Sequence, residues 1–536
     1  MIQKYLRSFA SAVTALTMTV AMPFSSSAQP NGDGSATKTP IKHIIVIFDE
    51  NISFDHYFGT YPHAANLNGE RPFHAKANTP RVNNLLAGGL LDQNPNSTQP
   101  FRLAPSQAAT CDQDHSYGPE QTAFDRGLMD KFPEATGSGG PGCFDDGKGP
   151  GIVMAYFDGN TTTAIWNYAQ HFAMSDNSYG TNFGPSTVGA VNLISGNTCC
   201  ATMLPFAANG TTPGNPSGSI AGGQLTGAVI GDPRPGYDNC LTTPVLGTAK
   251  STRITMSGKN VGDLLSAKNI TWGWFQGGFA PTGVNPDGTP ACGAVSTGIA
   301  SPAGYNDYIP HHEPFQYYQS TANPNHLPPA DPSQIGQTDR ANHQYDLGYF
   351  WTALNEGRLP SVTFLKAKGV QDGHPGYSDP IDEQTFLVGV INAVSQSKYW
   401  NDTAIVIAYD DSDGWYDHAM DVVVNQSDVS DDSLTGPGAC GVTAVGGTPG
   451  RCGYGPRLPL LVISPYAKHN YVDHRITDQS SILRFIEENW ELGTIGNGSL
   501  DEKAGRLDGF FDWNCQPNHK LILDPATGEP LAQNID

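Results

Sequence analysis

Two pairs of adjacent oxygen donors, Glu50-Asn51 and Asp410-Asp411, each follow a short apolar run in the sequence. Carboxylates gathered in one place repel one another unless a cation neutralises them, so two such pairs brought together read as a divalent metal site. Between them in the chain lies Ser186, in Phe183-Gly184-Pro185-Ser186-Thr187, ahead of a helical segment that Gly196 would end. A serine hydroxyl beside a cation is an activated nucleophile for in-line attack. The same position also suits a plain helix N-cap, and free N–H groups at a helix start would favour an anion there. Loop histidines could handle charge and protons: His115 in Asp112-Gln113-Asp114-His115, His311 and His312 before Glu313-Pro314, and His374 in Gly373-His374-Pro375-Gly376. Each is open to the alternative of a solvated surface side chain. Asp413-Gly414-Trp415-Tyr416-Asp417-His418 either serves the same site or turns the chain.

The elements that would position these residues are two strands, Ile44 to Phe48 and Ala404 to Tyr409. Both are too short for helices and rich in β-branched side chains, as expected of parallel strands covered on both faces. In such sheets, sites form at the carboxyl ends of strands, where loops carry polar groups off a rigid scaffold. Asp49, Glu50 and Asn51 would sit there, or would simply turn the chain into a short helix capped by Ser53.

Further along, the periodicity predicts helices over Thr161 to Met174, Val261 to Ala267, Tyr345 to Glu356, Glu383 to Val394 and Asp478 to Trp490. It predicts strands over Thr271 to Gln276, Ser361 to Leu365 and Leu458 to Ile463. This alternation implies an α/β fold, a mostly parallel sheet flanked by helices on both faces, with long loop-rich insertions at about 60–151, 197–250 and 277–340. The first insertion carries His115 and reads as part of a site wall.

Residues 1–28 have Lys4 and Arg7 before an apolar run and end in small residues, the pattern of a cleaved secretory signal, so an exported protein, periplasmic or secreted, is expected. Residues 29–40 read as a disordered lead-in and 41–536 as a single catalytic domain. No later run is long enough to span a membrane. The formal charge is −22; removal of the leader leaves 27 basic against 51 acidic residues, which argues against nucleic acid as a partner. Nine cysteines in an exported chain imply disulfides with one left over. Cys440 and Cys452, flanking a Gly-rich loop, form the favoured pair, and the other pairings stay open.

Glu50-Asn51-x-Ser-Phe-Asp-His-Tyr-Phe-Gly, Gly184-Pro185-Ser186-Thr187, Asn192 to Gly196, His374-Pro375 and Tyr409 to His418 together resemble the bacterial phosphoesterase family. That family comprises phosphocholine-preferring phospholipases C and a secreted acid phosphatase branch. The resemblance implies an alkaline-phosphatase-like core, one divalent metal ion held by Glu50, Asn51, Asp410 and Asp411 with Ser186 against it, and a nucleophilic role for Ser186. It also implies phosphoryl contacts from His115, His312 and His374, and less directly from His311. Ser at 186 and Asp at 411 stand where the phospholipase branch often carries Thr and Glu, which points to the phosphatase branch and leaves the identity of the metal open.

The expected function is therefore metal-assisted hydrolysis of a small phosphoric monoester through a phosphoserine intermediate, with an acidic optimum supplied by histidine cations. Release of phosphocholine from a phospholipid is the alternative. A secreted phosphate-binding protein without turnover is the reading from a different class, although a mere binder needs no hydroxyl at 186. Oligomeric state is not legible.

Overall fold

The computed structural model describes residues 36–531 apart from 140–143, 205–217, 241–251, 421, 443–446 and 515–519. The leader and most of the lead-in lie outside the described residues, as do Cys143 and Cys515.

The principal elements, in chain order, are β1 (His43–Asp49), α1 (Phe54–Phe58), α2 (Tyr117–Phe124), α3 (Thr163–His171), β2 (Ala173–Ser175), α4 (Ser186–Ser195), α5 (Val261–Ala267), β3 (Trp272–Gln276) and β4 (Gln344–Asp346). There follow α6 (Leu347–Asn355), β5 (Val362–Lys366), α7 (Pro380–Gln396), β6 (Thr403–Tyr409), β7 (Leu460–Ile463), β8 (Tyr471–Asp473) and α8 (Gln479–Trp490). The eight strands form one sheet in the order β4-β3-β5-β1-β6-β7-β2-β8. Every residue of β1, β3, β5, β6 and β7 is buried, so both faces of the sheet are covered. That is why His-Ile-Ile-Val-Ile-Phe-Asp and Thr-Ala-Ile-Val-Ile-Ala-Tyr read as near-continuous apolar runs rather than alternating ones.

β1 lies at the centre, paired in parallel with β5 on one side and β6 on the other. The register sets Asp49 opposite Tyr409, so the next residues on each strand, Glu50 and Asp410, leave the sheet side by side. β7 is antiparallel to both β6 and β2, and the other strands share one direction. Its reversal has a simple cause: no helix lies among the described residues between β6 and β7, so the chain returns into the sheet from the edge at which it left.

The helices differ from expectation mainly at their starts. The predicted helix from Tyr345 is a strand to Asp346, whose side chain then caps α6 by accepting from the Gly348 N–H. α7 begins before Glu383, with Pro380 first and Asp379 accepting from the N–H groups of Ile381 and Asp382. The stretch from Thr161 to Met174 divides into α3 and β2, and α2 lies in an insertion with no helical expectation. Cys440 and Cys452 pair as expected, Cys240 pairs with Cys292, and the adjacent Cys199 and Cys200 pair with each other.

Candidate active site at the carboxyl edge of the sheet

Three neighbouring strands deliver charged side chains to one edge. β1 runs into Glu50 and Asn51, β6 into Asp410 and Asp411, and β5 ends in Lys366. The backbones lock the loops together: the Asn51 N–H donates to Asp410 Oδ1 at 2.8 Å and the Ile52 N–H to the Asp411 carbonyl at 3.0 Å. α4 then brings Ser186 to the same place. Ser186 is the first helical residue, with Pro185 before it, and its hydroxyl caps nothing. Instead Ser186 Oγ donates toward Glu50 Oε2 at 3.1 Å and lies 3.4 Å from Asp411 Oδ2. The close fit of α4 on the strand end depends on Gly189, where an added Cβ would stand 2.1 Å from the Asp410 carbonyl oxygen.

The expected free N–H groups at the start of α4 are not available as a set. The Thr187 N–H donates to Asp232 Oδ1 at 2.9 Å, the Val188 N–H to the Pro185 carbonyl, and, just upstream, the Gly184 N–H to Glu120 Oε2. Side chains and backbone from other segments have filled the donors that a helix start leaves open.

Asn51 Oδ1 and Asp410 Oδ2 are buried and accept no hydrogen bond from the described residues. Two orphaned hard oxygens beside Glu50, Asp411 and Ser186 fit a divalent cation that takes oxygen ligands. The electrostatics agree. Burial and the neighbouring Asp410 push the Glu50 carboxyl well above its ordinary range, and burial and Asp410 do the same to Asp411. Burial would raise Asp410 too, but hydrogen bonding with Glu50 and the charge of Lys366 bring it below the usual value. Lys366, 1% exposed, bonds Glu50 Oε1 and the Phe48 carbonyl. Burial works against its charge, yet Glu50, Asp372, Asp410 and Asp49 outweigh it and keep the ammonium protonated. One lysine against this many carboxylates leaves an excess of buried negative charge.

The histidines form a rim of unequal members. His115 donates from Nδ1 to the Gln113 carbonyl at 2.8 Å and lies 3.3 Å from Asp413 Oδ1. Burial opposes its charge, but Asp411 and Asp413 prevail and hold its pKa well above 6.5. His312 Nδ1 is 3.2 Å from Glu50 Oε1. His311 packs edge-on against the His312 ring, and His374 lies with its ring centroid 6.0 Å from that of His115. Burial lowers His311 and His312, and brings His374 down to about 4. Burial thus opposes charge on all four rings; at His312 the neighbouring His311 and Lys366 add to it, whereas at His115 Asp411 and Asp413 outweigh it.

Lys366, Asp372 and Glu120 join the site without having been singled out, and Asp413 joins it from a stretch whose role was open. Asp413 accepts from Asn51 Nδ2 at 3.0 Å and from the Gln113 N–H at 3.1 Å, which answers half of the question left open for residues 413–418. Asp372 accepts from the His374 N–H and the Tyr377 hydroxyl, and burial raises its carboxyl to about 8. A lysine closing the apolar strand Val-Thr-Phe-Leu-Lys was a signal available in the sequence. Glu120, inside the long insertion, offered none.

Comparison with known proteins bears on the family of the chain. A family described as the phosphoesterase family matches residues 41–493. The chain is 22% identical to phospholipase C A of Mycobacterium tuberculosis over 496 residues, 90% of this chain and 79% of that protein. It is 30% identical to a non-hemolytic phospholipase C of Pseudomonas aeruginosa over 140 residues, 25% of this chain and only 20% of that protein. Among solved structures, a Vibrio parahaemolyticus protein of the alkaline phosphatase superfamily aligns over 78% of this chain and 79% of its own, at 12% identity and a TM-score of 0.28, too low to carry weight.

Proposed function

Since the chain belongs to the phosphoesterase family, whose members are phosphoric ester hydrolases, we propose that it hydrolyses small phosphoric monoesters as an exported, acid-phosphatase-type enzyme with Ser186 as nucleophile. The observation that carries this reading is the Ser186 hydroxyl, spared from capping α4 and set among Glu50, Asp411 and the orphaned oxygens of Asn51 and Asp410. Glu50, Asn51, Asp410, Asp411 and Ser186 would hold one divalent cation, which when bound neutralises charge developing on the phosphoryl group and eases ionisation of a hydroxyl.

The side chains do the rest. Ser186 Oγ attacks phosphorus as the bond to the leaving oxygen breaks, giving a phosphoserine that water resolves, and the proton of Oγ passes toward the carboxylates that accept its hydrogen bond. His115, with Nδ1 3.3 Å from Asp413 Oδ1, holds phosphoryl oxygens or protonates the leaving group. His312 and His374, neutral in their buried places, supply hydrogen bonds, with His311 behind His312. Lys366 fixes the Glu50 carboxylate against the end of β1.

Ser186→Ala is expected to lower turnover of a soluble monoester by about 10³-fold or more while the melting temperature stays within a few degrees, because no cap is lost. Substantial residual turnover by a folded variant would remove Ser186 from the role of nucleophile. A second reading, phospholipase C activity, is favoured by the phospholipases among the relatives. Comparing hydrolysis of a soluble monoester with release of phosphocholine from phosphatidylcholine separates the two.

A further inference from the structure

The loop that presents Ser186 and the loop that presents Asp410 and Asp411 come from distant parts of the chain; Gln479 links Thr181 to the Asp410 carbonyl, and a buried carboxylate links them closer to the nucleophile. Glu120 in α2 is 1% exposed. Its Oε2 accepts the Gly184 N–H at 2.9 Å, two residues before Ser186, and its Oε1 accepts the Ser412 hydroxyl at 2.9 Å, next to Asp411. We infer that Glu120 is a positioning residue, a bridge that sets the nucleophile at its working distance from the carboxylates of β6.

Three features support this role. First, the backbone at Gly184 turns through φ +118°, a conformation open to glycine and disfavoured for other residues, and the N–H it presents is taken up by Glu120. Second, Glu120 stands on a fixed base. In α2 the Tyr117 hydroxyl donates to Asp432 Oδ1 at 2.7 Å and receives the Cys452 N–H at 3.0 Å, and Gln121 Oε1 accepts the N–H groups of Ser433 and Leu434. Third, the far end of the bridge is shared: Ser412 Oγ also accepts the Gly414 N–H at 3.1 Å, so the hydroxyl is committed within the β6 loop. Catalytic geometry tolerates errors of about 0.5 Å, and a misplacement of about 1 Å can cost about 100-fold, so a rigid tie between two loops far apart in sequence matters for rate more than for binding.

This inference rests on Ser186 being the nucleophile. The experiment uses the full chain loaded with a divalent cation, and follows kcat and KM for a soluble monoester, metal content by mass spectrometry, and melting temperature. Glu120→Ala is expected to lower kcat about 100-fold with KM within about threefold and metal content unchanged. Glu120→Gln is expected to recover to within about fivefold of the parent, since its amide oxygen accepts from Gly184 while its NH₂ donates to Ser412. Ser412→Ala is expected to lose about tenfold alone and nothing further when added to Glu120→Ala, the non-additivity of two ends of one bridge. If Glu120→Ala does not fold, the glutamine and Ser412 variants decide. Parent-like kcat in Glu120→Ala or in Ser412→Ala would overturn the bridge, as would a glutamine variant that is folded, metal-loaded and no better than alanine. A Ser186→Ala protein that still turns over would instead overturn the nucleophile reading and this role with it.

Discussion

The two loops that leave β1 and β6 build a pair of buried charge clusters a few residues apart, and the two are chemically opposite. At the strand ends, Glu50, Asp410 and Asp411 gather around a lysine that pairs with Glu50, and Asn51 Oδ1 and Asp410 Oδ2 find no hydrogen-bond partner among the described residues. Further along the same loops, Asp55 and Asp417 meet Arg457 and His418, and every carboxylate oxygen is paired. Arg457 bonds Asp55 Oδ1 at 3.2 Å and Asp417 Oδ2 at 3.0 Å, reaches the carbonyls of Asn83 and Asp176, and lies 4.2 Å over the Phe54 ring. His418 Nδ1 donates to Asp55 Oδ2 at 2.5 Å. Either cluster could be taken for a metal site from its residue types. The difference is completeness: a cluster with its own cations holds the fold together, whereas one with excess carboxylate and orphaned oxygens is built for a cation from solution.

The sharpest way to break this contrast is to take a charge from each side. Asp410→Asn is expected to lower turnover by about 10³-fold and to abolish stable metal retention, without lowering the melting temperature of the metal-free protein, because a repelling carboxylate has gone. Metal content measured beside activity checks it; full occupancy with lost activity would move Asp410 from ligand to another role. In the balanced cluster, Arg457→Met leaves two buried carboxylates with His418 as their remaining cationic partner, and a loss of about 3–5 kcal/mol of stability is expected with kcat per folded molecule unchanged. Denaturant titration reads the first and single-turnover kinetics the second.

Between these lies the packing that joins α4 to β6. Gly189→Ala places a methyl 2.1 Å from the Asp410 carbonyl oxygen, so α4 must move off the strand end. A stability loss of about 1–3 kcal/mol is expected, together with a fall in kcat that Arg457→Met does not show. Unaltered kcat would mean that the two loops are not rigidly coupled through α4.

The smallest expected effect is one of sign. In the metal-free protein the pKa values of Glu50 and Asp411 are raised, so ionising them in the buried site costs stability as pH rises above the ordinary carboxylate range, and added divalent cation should remove that slope. In the balanced cluster, burial would raise Asp55, but His418 and Arg457 bring it below 3.8, so its contribution is present above that value and is lost as pH falls through the lowered one. Asp55 likewise lifts His418 above 6.5 against the effect of burial, so that contribution is full below 6.5 and fades as pH rises through the raised value. Asp417, raised mainly by burial, offsets part of the acid-side loss. Melting curves with and without cation, in the parent and in Asp55→Asn, resolve the two slopes. A metal-free protein whose stability does not fall with pH above the carboxylate range would show that the site is already balanced by Lys366.

Much of this was legible before any coordinates. The near-continuous apolar runs of β1 and β6 announced central strands, and two adjacent oxygen pairs just past them announced a strand-end site, because a parallel sheet brings such ends to one edge. Asp478 was visible as a helix start of the right type, whereas α7 begins behind Asp379, earlier than its apolar period suggested. Residues 413–418 were ambiguous for a physical reason: the same Asp-rich string supplies Asp413 to the site and Asp417 with His418 to the balanced cluster, and nothing local separates them.

Sequence alone determined the things that depend on local pattern: the strands, the chemistry of their ends and the placing of a serine at a helix start. Tertiary structure decided what depends on who stands opposite whom. It spared the Ser186 hydroxyl from capping and gave the start of α4 to Asp232 instead. It drew His115 to Asp411 and Asp413 while enclosing His312 and His374, so that histidines alike in sequence are shifted in opposite directions. It also carried Glu120 across from an insertion to span two loops. Burial, partner and distance set a side chain's charge and role, and these are fixed only when segments far apart in the chain are packed against one another.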